Sequence, residues 1–331
     1  EGSVTATAAG AAYNDKNVAG ANKVTYTGIT LSGAGAGNYS IASTVQGTGR
    51  ITPKQLALAL TSSARFDKTY DGNANVAQAL SKGTHYTLSG FQAGEGAGIG
   101  LGAVTGKYSD KNAAQDKAVT FGDLTLTGTG AGNYTLNKTT LTGKGTISRR
   151  ALTLGAVAAQ TKTYDGTTAA DAAQFHAALN NVVAGDENLV TATATGAAYN
   201  DKNVATANAI SYTGIMLSGT GAGNYTLAAT TAQGVGSITH RDLTLTADVR
   251  SIEQGDALPS FTGHAEGFAA GENESVFGSD GITFDAAVTN TITPGRYAIT
   301  GRIGSVTNGI LGNYRIGQAA GNATALTINA A

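Results

Sequence analysis

The chain has 331 residues, and its 21 Lys and Arg against 22 Asp and Glu give a formal net charge of −1 at pH 7. Nucleic acids and anionic membranes are bound through basic surfaces, so this balance argues against both as partners. With 47 glycines, three prolines and no tryptophan, several small β-rich units are expected rather than one large core.

Several kinds of chemistry are excluded by composition. There is no cysteine, which removes disulfides, thiolate zinc sites and thiol catalysis, and suits a chain that crosses an oxidising compartment unfolded before export. The four histidines lack the His-Glu-x-x-His spacing of a zinc hydrolase. No stretch approaches the ~20 apolar residues of a membrane-spanning helix. The sequence therefore predicts no cofactor, no metal and no membrane insertion of this segment.

Internal repetition organises the chain. Gly-Asn-Tyr occurs at 37–39, 132–134, 223–225 and 312–314. Asp-Lys-Asn occurs at 15–17, 110–112 and 201–203, and Lys-Thr-Tyr-Asp-Gly at 68–72 and 162–166. Gly-x-Ile-Ser/Thr closes three units at 49–52, 145–148 and 236–239. These motifs predict complete repeats at 53–148, 149–239 and 240–331.

The first segment, 1–52, matches only the second half of a repeat. Residues 4–41 and 190–227 are nearly the same sequence, so the chain is expected to begin in the middle of a repeat. Half a unit leaves a sheet edge bare. Either the missing half lies upstream in a parent protein, or this piece pairs with a neighbouring unit.

Each repeat is expected to consist mainly of strands punctuated by glycine-rich turns. Period-two alternation predicts strands at 123–127, Leu152–Leu154 and Leu243–Thr246. Each Asn-Tyr after a glycine cluster is expected to turn into a strand. The four-residue spacing of Val76 and Leu80, and of Phe175 and Leu179, favours one short helix per unit.

The closing repeat is divergent. It keeps Gly-Asn-Tyr at 312–314, but Ile252 to Pro259 replace the Lys-Thr-Tyr-Asp-Gly segment. In the motif order as a whole, the chain resembles the YDG repeats of large bacterial surface proteins, and its last unit resembles the neighbouring mostly-β, glycine-rich MBG repeat. Such repeats are typical of filamentous-haemagglutinin-like adhesins exported by two-partner secretion, including biofilm-matrix adhesins. The resemblance implies an extracellular or cell-surface stalk.

The repeat-defining residues are tyrosines and asparagines. A tyrosine fixed in a repeat indicates a ring buried in a small core, with its hydroxyl hydrogen-bonded at the rim. The predicted structural positions are Tyr13, Tyr108, Tyr199, Tyr70, Tyr164, Tyr39, Tyr134, Tyr225, Tyr314, Asn38, Asn133, Asn224 and Asn313.

Two further kinds of site are weighed for these turns. Asp186-Glu187-Asn188 and Asn14-Asp15 offer oxygen ligands, yet no loop has calcium-loop spacing, so turn capping by the side chains is favoured. Glycosylation sequons begin at Asn38, Asn133, Asn137, Asn224, Asn273 and Asn322, where a role for Asn in the turn is favoured.

The predicted fold is mostly β, with tandem sandwich-like or β-grasp-like units in an elongated, monomeric rod; a β-solenoid is the alternative. The favoured function is a non-enzymatic spacer of an adhesin, whose partners would be extracellular polysaccharide or the same protein on neighbouring cells. The second hypothesis is a carbohydrate-binding module that uses Tyr86 or Tyr297. A weaker third is an ice-binding face of Thr-x-Thr strands.

Overall fold

The computed structural model describes residues 3–279, 281–304 and 309–330. The fold is mostly β, as predicted, and is built from sheets of two to four strands. By chain contacts it divides into two compact units, 1–150 and 151–331. Among the residues described, none belongs to a helix with the length and apolar character needed to cross a membrane.

In the first repeat, residues 1–52, the described residues form five strands and one 3-10 helix. The strands are β1 (Thr5–Thr7), β2 (Gly10–Tyr13), β3 (Lys23–Thr27), β4 (Thr30–Ser32) and β5 (Thr44–Thr48), and the 3-10 helix is Ala36–Asn38. They form a three-stranded sheet in the order β2-β3-β5 and a two-stranded sheet β1-β4.

The second repeat contains nine strands. They are β6 (Lys54–Leu60), β7 (Lys68–Thr69), β8 (Tyr86–Ser89), β9 (Gly100–Leu101), β10 (Lys107–Tyr108), β11 (Ala114–Phe121), β12 (Leu126–Thr127), β13 (Tyr134–Leu136) and β14 (Leu141–Ser148), with a 3-10 helix at Ala131–Asn133. Three sheets result, in the orders β13-β6-β8, β10-β11-β14-β7 and β9-β12. Alternate residues of β6 and β11 are buried, which is the period-two pattern of a strand with one face in a core.

The third repeat has the same plan. Its strands are β15 (Arg150–Val157), β16 (Gln160–Thr163), β17 (Ala177–Asn180), β18 (Thr191–Thr193), β19 (Gly196–Tyr199), β20 (Ala209–Thr213), β21 (Met216–Ser218), β22 (Tyr225–Leu227) and β23 (Thr231–Thr239), and its 3-10 helices are Ala172–Gln174 and Ala222–Asn224. The sheets are β17-β15-β22, β16-β23-β20-β19 and β18-β21. The first repeat corresponds to the second half of this plan.

The fourth repeat varies the plan. Its strands are β24 (Arg241–Ala247), β25 (Arg250–Glu253), β26 (Gly263–Glu266), β27 (Ile282–Ala286), β28 (Gly295–Tyr297), β29 (Ile299–Ile303), β30 (Tyr314–Gln318) and β31 (Leu326–Asn329), and its 3-10 helices are Glu274–Phe277, Gly309–Asn313 and Ala320–Thr324. The sheets are β26-β24-β30, β25-β31-β28 and β27-β29.

Two expectations about local structure are wrong. Residues 76–80 and 175–179 form no helix; Leu179 instead lies in β17, opposite Leu154 of β15. The predicted strand at 123–127 is reduced to Leu126–Thr127, because Asp123 adopts a left-handed backbone with φ of 53°. The predicted strands at 152–154 and 243–246 lie within β15 and β24, and Asn224-Tyr225 turns through a 3-10 helix into β22 as predicted.

The apolar interior of residues 151–331 does not stop at the repeat boundary. One buried cluster joins Tyr164, Tyr199 and Tyr212 of the third repeat to Phe277 and Tyr314 of the fourth. A second cluster, which includes Leu245, Ile299 and Leu326, belongs to the fourth repeat alone. The expectation of a separate core for each repeat therefore fails at this boundary, where burial is shared by both neighbours.

Candidate functional site at the junctions between repeats

A lysine organises the first half of each complete YDG-like repeat. The Lys162 ammonium binds the Asp165 carboxylate at 2.7 Å and donates to the carbonyls of Thr167 and Ala169 at 2.9 Å each. It lies 5.3 Å from the centre of the Tyr199 ring, within cation–π distance. Asp165 also accepts the Thr167 amide and closes an Asx turn.

The second repeat contains the same arrangement. The Lys68 ammonium binds Asp71 at 2.7 Å, donates to the carbonyls of Asn73 and Asn75, and lies 5.5 Å from the Tyr108 ring. Burial alone would raise the pKa of Asp71, but the hydrogen bonds from Lys68 and from the Asn73 amide hold it below its ordinary value. The two lysines therefore join the Lys-Thr-Tyr-Asp-Gly segment to the tyrosine that precedes Asp-Lys-Asn.

A glycine accommodates each of those tyrosine rings. A Cβ on Gly236 would lie 3.0 Å from the Tyr199 ring, and one on Gly145 would lie 2.9 Å from the Tyr108 ring and 1.8 Å from the Phe66 carbonyl oxygen. Close approach of backbone and ring therefore requires glycine in the Gly-x-Ile motif. The Tyr108 hydroxyl donates to that same Phe66 carbonyl.

In the three complete repeats, the tyrosine of the Gly-Asn-Tyr motif is bonded to an acidic turn in its own repeat. The Tyr225 hydroxyl donates to Asp186 at 2.8 Å and accepts the Val183 amide at 3.1 Å. Tyr134 donates to Glu95, and Tyr314 donates to Glu272. All three rings are at most 6% exposed. Each acidic turn is thus fixed against the Gly-Asn-Tyr segment.

In the motifs at 132–134 and 312–314, the asparagine also bonds to the preceding repeat. Within residues 1–150, the Asn133 Oδ1 accepts the Val18 amide at 2.9 Å, and the Asn133 Nδ2 donates to Asn17 Oδ1 at 2.8 Å. Lys16 lies 3.9 Å from Glu95 at this boundary. Asp-Lys-Asn-Val of one repeat is thereby held by Gly-Asn-Tyr of the next.

The same contact recurs within residues 151–331. The Asn313 Oδ1 accepts the Val204 amide at 2.8 Å, and the Asn313 Nδ2 donates to Asn203 Oδ1 at 2.9 Å. We call this pair of hydrogen bonds the asparagine clasp. Asn313 is 1% exposed, so water has little access to its side-chain amide. Without the clasp, that amide would be buried without these two hydrogen bonds, which is costly.

A carboxylate strengthens this second junction. Glu272 of the fourth repeat accepts from Tyr314 of its own repeat and, at 2.6 Å, from Tyr164 of the third. The two rings meet edge to face with centroids 5.4 Å apart. Burial, and to a smaller extent the Glu272 carboxylate, raises the pKa of Tyr164 well above its ordinary value. The same two causes raise the pKa of Tyr314 to about 12. Both phenols thus favour their neutral, donating form.

The residues singled out in the sequence divide into two groups. Tyr70, Tyr108, Tyr134, Tyr164, Tyr199, Tyr225 and Tyr314 are buried, and Asn224 and Asn313 are buried with them. Tyr13 and Tyr39 depart from the expected burial, with exposures of 49% and 66%, and Asn38 is exposed. The sequence reasoning missed the acidic partners Glu95 and Glu272 and the two lysines. The recurrence of Gly-Glu or Gly-Asp at 94–95, 185–186 and 271–272 was the available signal.

The other candidate sites are used by the fold. Asp186 accepts a hydrogen bond from the Tyr225 hydroxyl, and Asp15 caps a turn by accepting the Asn17 amide at 2.8 Å. No cluster of three or more potential metal ligands occurs among the described residues. Tyr86 is 3% exposed and its hydroxyl accepts the Leu101 amide, so its ring offers no platform for a sugar. Tyr297, also weighed as a platform, is half-buried.

The sequons are placed in turns and caps. Asn137 accepts the Leu58 amide, Asn273 caps a 3-10 helix, and Asn322 is buried with its Oδ1 on the Ala247 amide. Asn133 belongs to a clasp. Asn38, by contrast, lies exposed on the first repeat.

Comparison with known protein families identifies the domains of this chain. Residues 2–46, 52–141 and 148–232 match the model of the YDG domain, and residues 243–324 match that of the MBG domain of the YGX type. No curated protein matches the chain. The crystal structure of Drosophila N-cadherin EC1-4 is similar over 90% of this chain and 83% of that chain, at 8% identity, but its TM-score of 0.21 is too low to support an argument.

Proposed function

From the fact that this chain belongs to the YDG domain family and carries an MBG domain after its YDG domains, we propose that it is a non-enzymatic spacer in a bacterial adhesin. In this role its repeats hold a binding region at a distance and bind no polysaccharide themselves. The parent protein would be a filamentous-haemagglutinin-like adhesin exported by two-partner secretion, located outside the cell or on its surface. It would serve cell adhesion, aggregation or a biofilm matrix.

The recurring clasp is the observation that carries the proposal. Two junctions, one in each compact unit, use the same pair of motifs and the same two hydrogen bonds. At both junctions, asparagines that recur in the repeats thus join one repeat to its neighbour. A spacer needs such reproducible joints, whereas a catalytic site needs a unique cluster of ionisable groups.

Small-angle X-ray scattering of the complete chain tests the spacer role. An elongated, monomeric particle is expected, and its maximum dimension should increase by the length of one repeat when residues 149–239 are duplicated. A compact particle whose maximum dimension is unchanged by the added repeat would contradict the proposal.

A glycan array tests whether the repeats bind a ligand themselves. No binding to bacterial exopolysaccharides is expected, because Tyr86 is buried and its hydroxyl is already bonded. Saturable, micromolar binding to one polysaccharide, lost in Tyr297→Ala, would favour the carbohydrate-binding function instead. Protease accessibility on intact cells tests the proposed surface location.

A further inference from the structure

The third repeat contains an open cavity of about 560 Å³. Its lining comes mainly from strands β15 and β17 and from the segment 187–192, which leads into β18. The described residues that line it include Glu187 but no lysine or arginine. The volume lies in the range of protein cavities that bind small molecules.

The second repeat has a tyrosine at the equivalent position. The sequence is His-Tyr-Thr-Leu at 85–88 and His-Ala-Ala-Leu at 176–179. Tyr86 begins β8 and lies opposite Leu60 of β6, and Ala177 begins β17 and lies opposite Val157 of β15. Both strands are at the edge of a three-stranded sheet. An alanine that lines the cavity therefore stands where the second repeat has a buried ring.

The hydroxyl of Tyr86 marks a polar end of this space. It accepts the Leu101 amide of β9 at 2.8 Å. Ala192 of β18 corresponds to Leu101, both by its distance from the acidic turn and by its antiparallel pairing. Ala192 lines the cavity, and the alanine that replaces Tyr86 has no hydroxyl to accept its amide. A phenolic hydroxyl on a bound ligand can accept that amide instead.

A lysine marks a second polar point in the second repeat. The Lys82 ammonium donates to the Ile99 carbonyl at 2.7 Å and to the Gly96 carbonyl at 2.8 Å. The corresponding residues of the third repeat, Val190 and Glu187, line the cavity. The segment that holds Lys82 is shorter in the third repeat, at 167–175, and contains no lysine. The wall of the cavity therefore offers an ammonium group two backbone carbonyls and the Glu187 carboxylate.

We propose that this cavity binds a small phenol that carries an ammonium group. The ring packs on the apolar lining, the hydroxyl accepts the Ala192 amide, and the ammonium donates to the Val190 carbonyl and to Glu187. One ligand thus supplies the two groups that Tyr86 and Lys82 supply in the second repeat. This inference goes beyond the spacer function and does not depend on it, since it concerns one cavity within the third repeat.

An aromatic ring is favoured over a sugar by the lining. Most of the lining is apolar, and it includes Val157, Phe175, Leu179, Val182 and Val190. A saccharide would bury hydroxyl groups against these side chains without partners, which is costly. A phenol has one hydroxyl, and the Ala192 amide is available at the cavity wall to bond it.

Titration of the complete chain with tyramine tests the proposal. Calorimetry at neutral pH is expected to give saturable binding of one tyramine per chain, and the amide resonance of Ala192 is expected to shift in nuclear magnetic resonance spectra. Two incomplete compounds serve as controls, since p-cresol lacks the ammonium and phenethylamine lacks the hydroxyl. Each is expected to bind at least about tenfold more weakly, because one polar contact is lost.

Two variants of the chain locate the site. Ala177→Tyr restores the tyrosine of the second repeat and is expected to abolish tyramine binding without lowering the thermal midpoint. Thr231→Tyr adds the same ring at an exposed strand residue outside the cavity and is expected to leave binding unchanged.

Three results would overturn the proposal. They are no binding of tyramine, equally tight binding of either incomplete compound, and unchanged tyramine binding in a folded Ala177→Tyr variant. The comparison of the three compounds uses the unaltered chain, so it decides the question even if Ala177→Tyr does not fold.

Discussion

The first and third repeats contain nearly the same second-half sequence in two different surroundings. Their strands β2-β3 and β19-β20 have the same register, with Tyr13 opposite Val24 and Tyr199 opposite Ile210. Yet Tyr13 is 49% exposed and Tyr199 is 3% exposed. The difference shows that local sequence determines the strands and their pairing, while burial of the tyrosines is provided by the first half of the repeat, through β16 and Lys162.

The largest expected effect comes from truncating the equivalent tyrosines. Tyr199→Ala removes a fully packed ring and should lower the free energy of unfolding by about 3–5 kcal/mol, whereas Tyr13→Ala should cost less than about 1 kcal/mol. Hydrogen exchange of β20 in the first variant and of β3 in the second reports the local loss of stability. Equal losses would mean that the Tyr13 ring is as well packed as the Tyr199 ring.

The asparagine clasp extends the comparison to three equivalent asparagines. Asn313→Ala removes the acceptor of the Val204 amide and the donor to Asn203 Oδ1 at a buried junction, and about 2–4 kcal/mol of stability should be lost. Asn133→Ala should cost about 1–2 kcal/mol because Asn133 is only half-buried. Asn38→Ala, on an exposed residue, should cost under about 0.5 kcal/mol.

Thermal unfolding of the three asparagine variants checks this order of stability losses. The midpoint should fall most for Asn313→Ala and least for Asn38→Ala. If Asn313→Ala lowered the midpoint no more than Asn38→Ala, the clasp would contribute little to the stability of the junction. The observation on which the proposed function rests would then no longer support it.

Much of the strand pattern could be predicted from the sequence, because alternation and glycine clusters are local signals. The helix at 76–80 was wrong for a tertiary reason. Lys68 binds the carbonyls of Asn73 and Asn75, and Asn75 bridges to Lys107, so this backbone is used by contacts that periodicity does not reveal. At 175–179, pairing of Leu179 with Leu154 replaces the expected helical turn.

The junction could be predicted only in part. The recurrence of Asn133 and Asn313 identified them as structural positions, but their partners lie more than 100 residues away in the chain. Nothing local in Asp-Lys-Asn-Val or Gly-Asn-Tyr indicates that one motif binds the other across a repeat boundary. The recurrence of Gly-Glu identifies Glu272 as a repeated residue, but its role depends on two tyrosines from different repeats.

Alkaline pH should separate the buried junction tyrosine from its exposed equivalent. The pKa of Tyr314 is raised to about 12 by burial and by Glu272, against about 10 for an unfolded chain. Between these values the unfolded chain loses the proton that the folded chain keeps. The stability that Tyr314 contributes is therefore fully present below pH 10 and is lost as the pH rises from 10 to 12, by about 1–3 kcal/mol.

Denaturant unfolding at pH 8 to 11.5 checks the alkaline loss. Tyr314→Phe should be less stable at pH 8, because Glu272 and the Ala269 amide lose a partner, and its further loss toward pH 11.5 should be smaller than that of the parent chain. Tyr39→Phe is the control and should follow the parent, since the Tyr39 ring is exposed. An unchanged alkaline slope in Tyr314→Phe would contradict the assignment.

The smallest expected effect concerns Lys162, whose ammonium covers the Tyr199 ring. Lys162→Met keeps most of the apolar stem but loses the bonds to Asp165 and two carbonyls and the contact with Tyr199, and about 1–2 kcal/mol should be lost at pH 7. Lys16→Met, at an 81% exposed side chain, should change stability by under about 0.5 kcal/mol.

The ion pair between Lys162 and Asp165 should also depend on pH. Burial alone would raise the pKa of Asp165, but bonds from Lys162 and Thr167 hold it below its ordinary value. The ion pair therefore stabilises the fold above about pH 4, and this contribution is lost on further acidification. The stability difference between the parent chain and Lys162→Met should accordingly narrow below pH 4; a constant difference would assign the effect to the two carbonyl bonds and the ring contact instead of the ion pair.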